Sequence, residues 1–326
     1  MSKRIGARAT IWLVSAVTIF VAAWAIERTD RSEARPADWK VHYAADGGFP
    51  RRCELLGHDP LTIAKPPERI VVADAAIADM LSKLVDANRI AAVCDQAFSW
   101  SQLAVDAGDW VKRPRFKSFV AEAVLVHEPD LVVCCTFNTP ETTGILRRAG
   151  LPLLCLHEPR NLDDVRKMIR LLAAVTGSEG RADAVLADID ARVLALARQP
   201  GQTPKTALFY SNHGAGGFAA AGDTLCDTAM QLAGLRNVAR GSGHVRLAME
   251  ELLTLDPEVL VIGIAAGAAT SGTEHFLQSQ AALSELRALR DRHIVRLHPA
   301  LYMSGSQSIV AAAEEIARQV KRSGNR

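Results

Sequence analysis

The chain has 326 residues, of which 49% are hydrophobic and 23% are charged, and its formal net charge is +2. This length can hold two domains of ordinary size, and the hydrophobic content excludes an intrinsically disordered chain. The small net charge, with no stripe of lysine and arginine, argues against a nucleic-acid-binding protein.

Residues 1–25 have the order of a secretory signal, in which basic residues precede an apolar run from Ala9 to Ile26. Ala23 and Ala25 offer the small side chains that a signal peptidase recognises. The apolar run is also about as long as a short membrane span, so an uncleaved anchor is the alternative. Both interpretations place the rest of the chain outside the cytoplasm. The polar stretch 26–66 is then expected to be a tether and lead-in to the fold.

Strands and helices alternate from residue 67 to residue 177. Short apolar, β-branched runs predict strands at 69–73, 89–93, 130–134 and 151–156, and helices are predicted at 79–85 and 140–149. Such alternation is typical of parallel strands with helical crossovers, so these residues are expected to form an N-terminal α/β lobe.

Two helical segments without an intervening strand follow, from Leu162 to Val175 and from Arg181 to Arg198. The second is uninterrupted and has apolar residues at helical spacing, so residues 178–200 are predicted to be one long linking helix. The alternation of strands and helices then resumes in a C-terminal lobe over residues 201–326. The strands predicted there are 206–210, 258–262 and 293–297, and the helices are 224–233, 281–290 and 306–320.

The two predicted lobes share a local pattern around one glutamate each. Glu122 and Glu250 are both followed by six residues, a proline, an acidic residue and a strand-like apolar run. A helix–proline–strand junction is common in α/β proteins, but the shared offset of the glutamate favours an internal repeat.

These segments give the chain its resemblance to a known family. The chain opens its first lobe with Pro67-Glu68-Arg69-Ile70-Val71, carries the two glutamate segments, and has a Gly222-Asp223-Thr224-Leu225 turn before Leu232–Asn237. Because these segments occur in this order, the chain resembles the helical-backbone class of periplasmic binding proteins, which carry ferric siderophores, haem and cobalamin to ABC importers. The resemblance covers roughly residues 67–320.

The resemblance implies a fold and a set of partners. The fold would be α/β, with two Rossmann-like lobes that contain short parallel sheets and are joined by a single long rigid helix. The protein would be a periplasmic monomer without an intrinsic cofactor, and its ligand would be a small-molecule metal chelate. Its partners would be an ABC permease and the ATPase of that permease in the inner membrane. Glu122 and Glu250 would project from the lobe tips and pair with arginines of the permease.

The ligand is expected in the cleft between the lobes, because open α/β sheets bind ligands beyond the carboxyl ends of their strands. The candidate ligand-binding residues are Asp95, Trp100, Phe116, Phe137, His157, His213 and Tyr302. Phe116 is a candidate because of the family resemblance. Members of the family often have a pocket-lining residue six residues before the glutamate. The alternatives are a loop-anchoring role for Trp100 and ordinary hydrogen bonding for the histidines. A basic cluster over residues 112–117 could attract an anionic chelate or simply be solvated.

Two other functions stay open at this stage. Asp74, His157, His213 and His298 follow strands, so a carrier of a free divalent ion such as zinc or manganese is one alternative. The segment Asp74–Asp79 also departs from the Ser-rich turn of the resembled family, which leaves the ligand class open. A secreted α/β enzyme is the other alternative. None of the common nucleophile, phosphate-loop or zinc-protease motifs occurs in the sequence, so we expect no enzyme.

Overall fold

The computed structural model describes residues 39–55, 59–138, 140–197, 203–212, 216–264, 271–303 and 305–324. The predicted signal or anchor, residues 1–25, lies outside these ranges. Within the described ranges, no helix combines the length and the hydropathy needed to cross a bilayer.

A small antiparallel sheet precedes the first lobe. Its strands are β1 (Trp39–His42), β2 (Arg51–Leu55) and β3 (Leu61–Ile63), paired in that order. The prediction of a tether over residues 26–66 is therefore wrong for this part of the chain. Half-buried and exposed residues alternate in β1, which is the two-residue period of a strand. The strand was not predicted because the surrounding segment is mostly polar. The buried Arg51 guanidinium ion-pairs with Glu179, so the small sheet is attached to the main body of the protein.

The N-terminal lobe contains five parallel strands in the order β6-β5-β4-β7-β8. The strands are β4 (Ile70–Val72), β5 (Ile90–Cys94), β6 (Arg115–Phe116), β7 (Leu131–Cys135) and β8 (Leu153–Leu156). The helices are α1 (Ala75–Leu84), α2 (Ala97–Trp100), α3 (Ala121–Leu125), α4 (Pro140–Arg148) and α5 (Leu162–Thr176). The central strands β4 and β7 are buried throughout, which explains why their sequences are continuously apolar.

The C-terminal lobe contains a mixed sheet in the order β12-β10-β9-β13-β14, and β11 pairs with the start of β9. Its strands are β9 (Thr206–Asn212), β10 (Gly217–Ala220), β11 (Arg236–Asn237), β12 (His244–Leu247), β13 (Val259–Gly263) and β14 (Ile294–Leu297). Strands β10 and β12 are antiparallel to their neighbours, so this sheet is not the purely parallel one that was expected.

Six α-helices are described in the C-terminal lobe. They are α7 (Leu225–Leu232), α8 (Met249–Leu255), α9 (Gly272–Ser279), α10 (Arg287–Arg290), α11 (Pro299–Tyr302) and α12 (Ser308–Gly324). The single helix predicted at 281–290 is instead a 3₁₀ turn, Ala281–Glu285, followed by α10. Leu283 and Leu286 are both buried and stand three residues apart, a spacing that a 3₁₀ turn places on one side.

The linking helix α6 (Glu179–Ala197), 19 residues long, lies between the two lobes in sequence and packs against both. On the N-terminal side, Arg181 pairs with Asp86 at 2.9 Å. On the C-terminal side, Arg192 of this helix donates to both carboxylate oxygens of Glu314 in α12, at 2.8 and 2.7 Å. One contiguous apolar core runs from the N-terminal sheet past the helix to the C-terminal sheet. The two-lobed α/β fold with a linking helix is thus confirmed.

The internal repeat is present in three dimensions. The residues before Pro129 and Pro257, Glu128 and Asp256, both have a left-handed backbone, with φ of 45° and 36°. The acidic residue after each proline then accepts backbone N–H groups at the start of its lobe's first parallel strand. The carboxylate of Asp130 accepts from Glu68 and Arg69, and that of Glu258 accepts from Thr206. The shared spacing therefore encodes one structural junction, used once in each lobe.

Candidate ligand cleft and docking surfaces

The strand-end segments of the two lobes face each other. Helix α2 follows the carboxyl end of β5, helix α11 follows the carboxyl end of β14, and these two short helices pack together. Gln102, just after α2, donates from Nε2 to the backbone oxygen of Ala300 in α11 at 3.2 Å. The contact joins the two lobes at the carboxyl ends of their sheets, where ligands of open α/β sheets bind, so it would form the floor of the expected ligand cleft.

The side chain of Asp79 also joins the lobes. Asp79 of α1 and Ser306, which precedes α12, are both fully buried. The Ser306 hydroxyl donates to the Asp79 carboxylate, and Gln307 donates from Nε2 to the Asp79 backbone oxygen at 3.0 Å. Leaving a buried polar group without its hydrogen bond is costly, so this junction resists separation of the lobes.

Three of the predicted ligand-binding residues lie after β5, at the end of α2 and on β6. Asp95 is half-buried, and its backbone N–H donates to the oxygen of Phe116 at 3.0 Å. Trp100 is half-buried and packs against the main core. Phe116 is only 7% exposed and belongs to that core, which leaves little of its ring for a ligand. Phe137, after β7, differs because it is 43% exposed and can present its ring to the cleft.

A cation–aromatic pair that the sequence did not reveal lies at the same edge. The guanidinium of Arg115 stands 3.7 Å from the ring centroid of Phe98, which belongs to α2. Within the basic cluster, Lys112 is paired with Asp109 at 2.6 Å, whereas Lys117 is exposed. The cleft side of the N-terminal lobe therefore combines an aromatic ring with positive charge, which suits a planar or anionic ligand.

Tyr302 of α11 is held inside the C-terminal lobe. Its ring lies 5.9 Å from that of Phe209, and its hydroxyl donates to the backbone oxygen of Ile264 at 3.2 Å. The ring also packs on Gly263, where an added Cβ would come within 2.3 Å of the tyrosine Cζ. Burial, with a smaller contribution from Cys226, raises the pKa of Tyr302 to about 12. The phenol is therefore protonated at neutral pH and acts as a hydrogen-bond donor.

The remaining polar candidates occupy the ends of other strands. His157 is half-buried after β8, and His213 lies outside the described residues. His298 caps helix α11, because its Nδ1 accepts from the backbone N–H of Ala300 at 3.2 Å. Asp74 caps α1 in the same way, accepting from Ile77 at 2.9 Å. In the part of the chain that the structure describes, no group of three His, Cys, Asp or Glu side chains is arranged to hold a metal ion.

The two repeat glutamates occupy equivalent exposed positions. Glu122 and Glu250 are each the second residue of a short helix, α3 and α8. Neither carboxylate has a hydrogen bond or an ion pair within the described residues. The adjacent Glu251 provides a contrast, because its carboxylate accepts from the backbone N–H of Ala248 at 2.8 Å and caps α8. The unpartnered glutamates are thus available to an external partner.

Comparison with known proteins identifies the family. The profile of the periplasmic binding protein family matches residues 70–301 of this chain. The chain therefore belongs to the periplasmic binding protein family.

Three individual proteins that are similar to this chain follow. A cobalamin-binding protein of Halobacterium salinarum is 26% identical over 259 residues, covering 76% of this chain and 69% of the relative. Among solved structures, a periplasmic haem-binding protein from Pseudomonas aeruginosa superposes with a TM-score of 0.66 at 22% identity, over 78% of this chain and 93% of that one. CeuE of Helicobacter pylori, in a nickel–histidine complex, gives 0.66 at 16% identity, over 88% and 90%. Both of these solved structures share the two-lobed fold of this chain.

Asp74 gives a testable pH dependence. Desolvation raises the pKa of its carboxyl above the usual 3.8, although hydrogen bonds from Ile77 and Cys135 partly oppose the shift. The folded state therefore binds this proton more tightly than the unfolded state, and the resulting stabilisation is lost as pH rises through the folded pKa. Asparagine caps helices about as well as aspartate but carries no charge. We expect the unfolding free energy of Asp74→Asn, relative to wild type, to increase as pH rises above the usual carboxyl pKa of 3.8.

Urea unfolding at several pH values checks this prediction. Asp183→Asn, at an exposed position of the linking helix, is the control and should show no such trend. A relative stability of Asp74→Asn that stays constant or falls as pH rises would contradict the assignment.

Proposed function

We propose that this protein is the substrate-binding component of an ABC importer and that it captures a metal chelate between its lobes. The chelate would be an iron siderophore, haem or cobalamin. The observation that carries the proposal is the contact of the two lobes at the carboxyl ends of both sheets, in a chain that belongs to the periplasmic binding protein family. The similarity to a cobalamin-binding protein supports a ligand of this chemical class.

The described cleft residues favour a metal complex over a bare ion. An exposed ring at Phe137 and the stacked pair of Arg115 and Phe98 offer surfaces to an organic periphery rather than oxygen or nitrogen ligands to a metal. Asp74 and His298, two candidates for binding a free ion, already accept helix-capping hydrogen bonds. A free divalent ion such as zinc or manganese is therefore the weaker alternative, and a secreted enzyme is weaker still.

Equilibrium titration tests the ligand class. The purified protein, freed of bound ligand, is titrated with haem, cobalamin and a ferric hydroxamate, and separately with Zn²⁺ and Mn²⁺. We expect one of the complexes to bind with a Kd below about 1 μM, which corresponds to roughly 8 kcal/mol. Failure of all three complexes together with tight binding of a bare ion would overturn the proposal.

A matched pair of variants locates the site in the same titration. Phe137→Ala should weaken binding of the complex several-fold, because the ring is exposed at a strand end. Tyr43→Ala removes a ring of similar exposure, 47%, from the segment just after β1 and should leave the affinity unchanged.

We further propose that Glu122 and Glu250 dock the loaded carrier on the permease. Two unpartnered carboxylates at equivalent positions of two lobes form a two-point attachment, because the linking helix and the buried junction fix the lobes relative to each other. Exposed ion pairs add little affinity individually, but they accelerate and orient encounter with a cationic surface. This role places the protein in the periplasm, as a free monomer or membrane-anchored, beside an inner-membrane permease and its ATPase.

Charge reversal tests the docking role. Glu122→Lys together with Glu250→Lys should reduce ligand uptake by the importer more than tenfold, because lysines would face the cationic partner. Affinity for the ligand should stay within about twofold, since neither glutamate needs to touch it. Uptake into cells and binding to the purified protein are measured in parallel.

The control reverses two other exposed acidic residues, Asp183 in the linking helix and Glu285 in the C-terminal lobe. Uptake with Asp183→Lys and Glu285→Lys should match wild type. If the variant at Glu122 and Glu250 lost ligand affinity instead of uptake, the glutamates would line the pocket and the docking role would be refuted.

A further inference from the structure

An exposed aliphatic patch surrounds one of the two glutamates. Val120, Leu125 and Val126 are 45%, 38% and 72% exposed, and they lie within seven residues around Glu122. Single exposed aliphatic side chains are ordinary on protein surfaces, whereas a group of them marks an interaction site. These three residues are called the N-tip patch below.

The N-tip patch shares a helix face with the carboxylate. Leu125 and Val126 stand three and four residues after Glu122, and the backbone N–H of Val126 donates to the oxygen of Glu122 at 3.2 Å. Residues at this spacing are neighbours on a helix surface. Helix α4 packs against α3 and contributes Ile145, which is 42% exposed. The carboxylate of Glu122 is therefore bordered by apolar surface that the described protein leaves uncovered.

The C-terminal lobe lacks this patch at the equivalent positions. Counting from Glu250, the residues that correspond to Val120 and Val126 are Ala248 and Thr254. Thr254 is exposed and its hydroxyl donates to the backbone oxygen of Glu250 at 2.8 Å. Leu253 corresponds to Leu125 but is half-buried against the core of its lobe. The repeat thus preserves the carboxylate in both lobes and the apolar border in only one.

We propose that the two lobe tips dock with different chemistry and that the N-tip patch supplies an apolar contact. The inference rests on the docking role proposed above. Its occupant is a permease segment in which an arginine or lysine is flanked by aliphatic or aromatic side chains. The unpartnered carboxylate requires a cation, and the surrounding aliphatic surface requires an apolar neighbour. Covering the patch removes water from around the ion pair, which strengthens the electrostatic attraction. The C-terminal tip binds through charge and hydrogen bonds alone.

The test exchanges residues between the two lobe tips. The double variant Val120→Ala/Val126→Thr gives the N-terminal tip the residues of the C-terminal tip, at positions too exposed to affect folding strongly. The probe is a preparation of right-side-out inner-membrane vesicles from the organism that encodes the chain, incubated with the fluorescently labelled protein. We expect the Kd of saturable binding to rise about fivefold to tenfold, because the variant removes three methyl groups and full burial of the equivalent of one or two of them contributes about this much.

Two further variants make the result specific. Val105→Thr alters a valine of similar exposure, 68%, on a different segment, and it should bind like wild type. The reverse exchange, Ala248→Val/Thr254→Val, builds the patch on the C-terminal tip and should lower the Kd.

The outcomes separate this inference from the docking role itself. Unchanged binding by Val120→Ala/Val126→Thr, with binding lost in the charge-reversed Glu122/Glu250 variant, would overturn the apolar contact and leave the docking role intact. Unchanged binding by the charge-reversed variant would overturn both. An equal loss in the Val105→Thr control would also contradict a specific contact at the N-tip patch.

Discussion

The linking helix Glu179–Ala197 is the constraint on which the rest of the structure depends. Arginine–carboxylate pairs attach it to both lobes, through Asp86 on one side and Glu314 on the other. At about 1.5 Å per residue, a helix of this length spans roughly 28 Å as a single stiff element. Such surface pairs contribute only about 0–1 kcal/mol each, so the shared apolar core provides most of the stability and the pairs fix the geometry.

A second connection, at the buried contact between Asp79 and Ser306, has the same effect on motion. Wide opening of the cleft would break the hydrogen bonds from Ser306 and Gln307 to Asp79 and separate apolar surfaces that the two lobes share. Ligand binding is therefore expected to change the shape only slightly, unlike the hinge closure of flexible two-domain proteins. A preformed cleft lowers the ordering cost of binding, and fixed lobe tips hold Glu122 and Glu250 at a constant separation for a partner.

Local patterns determined how much could be predicted from the sequence. The buried strands β4 and β7 were predicted because their apolar runs are continuous, and the duplicated junction was found because its spacing is local. The antiparallel strands β10 and β12 were missed since each has only four residues and a glycine directly precedes it. The contact between Arg115 and Phe98 and the contact between Asp79 and Ser306 join separate elements, and the latter pair is 227 residues apart in sequence. The periodicity of one segment does not show which distant segment it contacts. The contacts between the lobes could therefore not be predicted before the fold was known.

The central claim is that this rigid cleft carries an intact metal complex. Native mass spectrometry of the protein, isolated without denaturation from its own organism, tests the claim most directly because it weighs the bound species. We expect a complex heavier than the free chain by one organic ligand together with its metal, with the isotope pattern of that metal. A mass increase equal to a bare divalent ion, or to an organic molecule without metal, would contradict it.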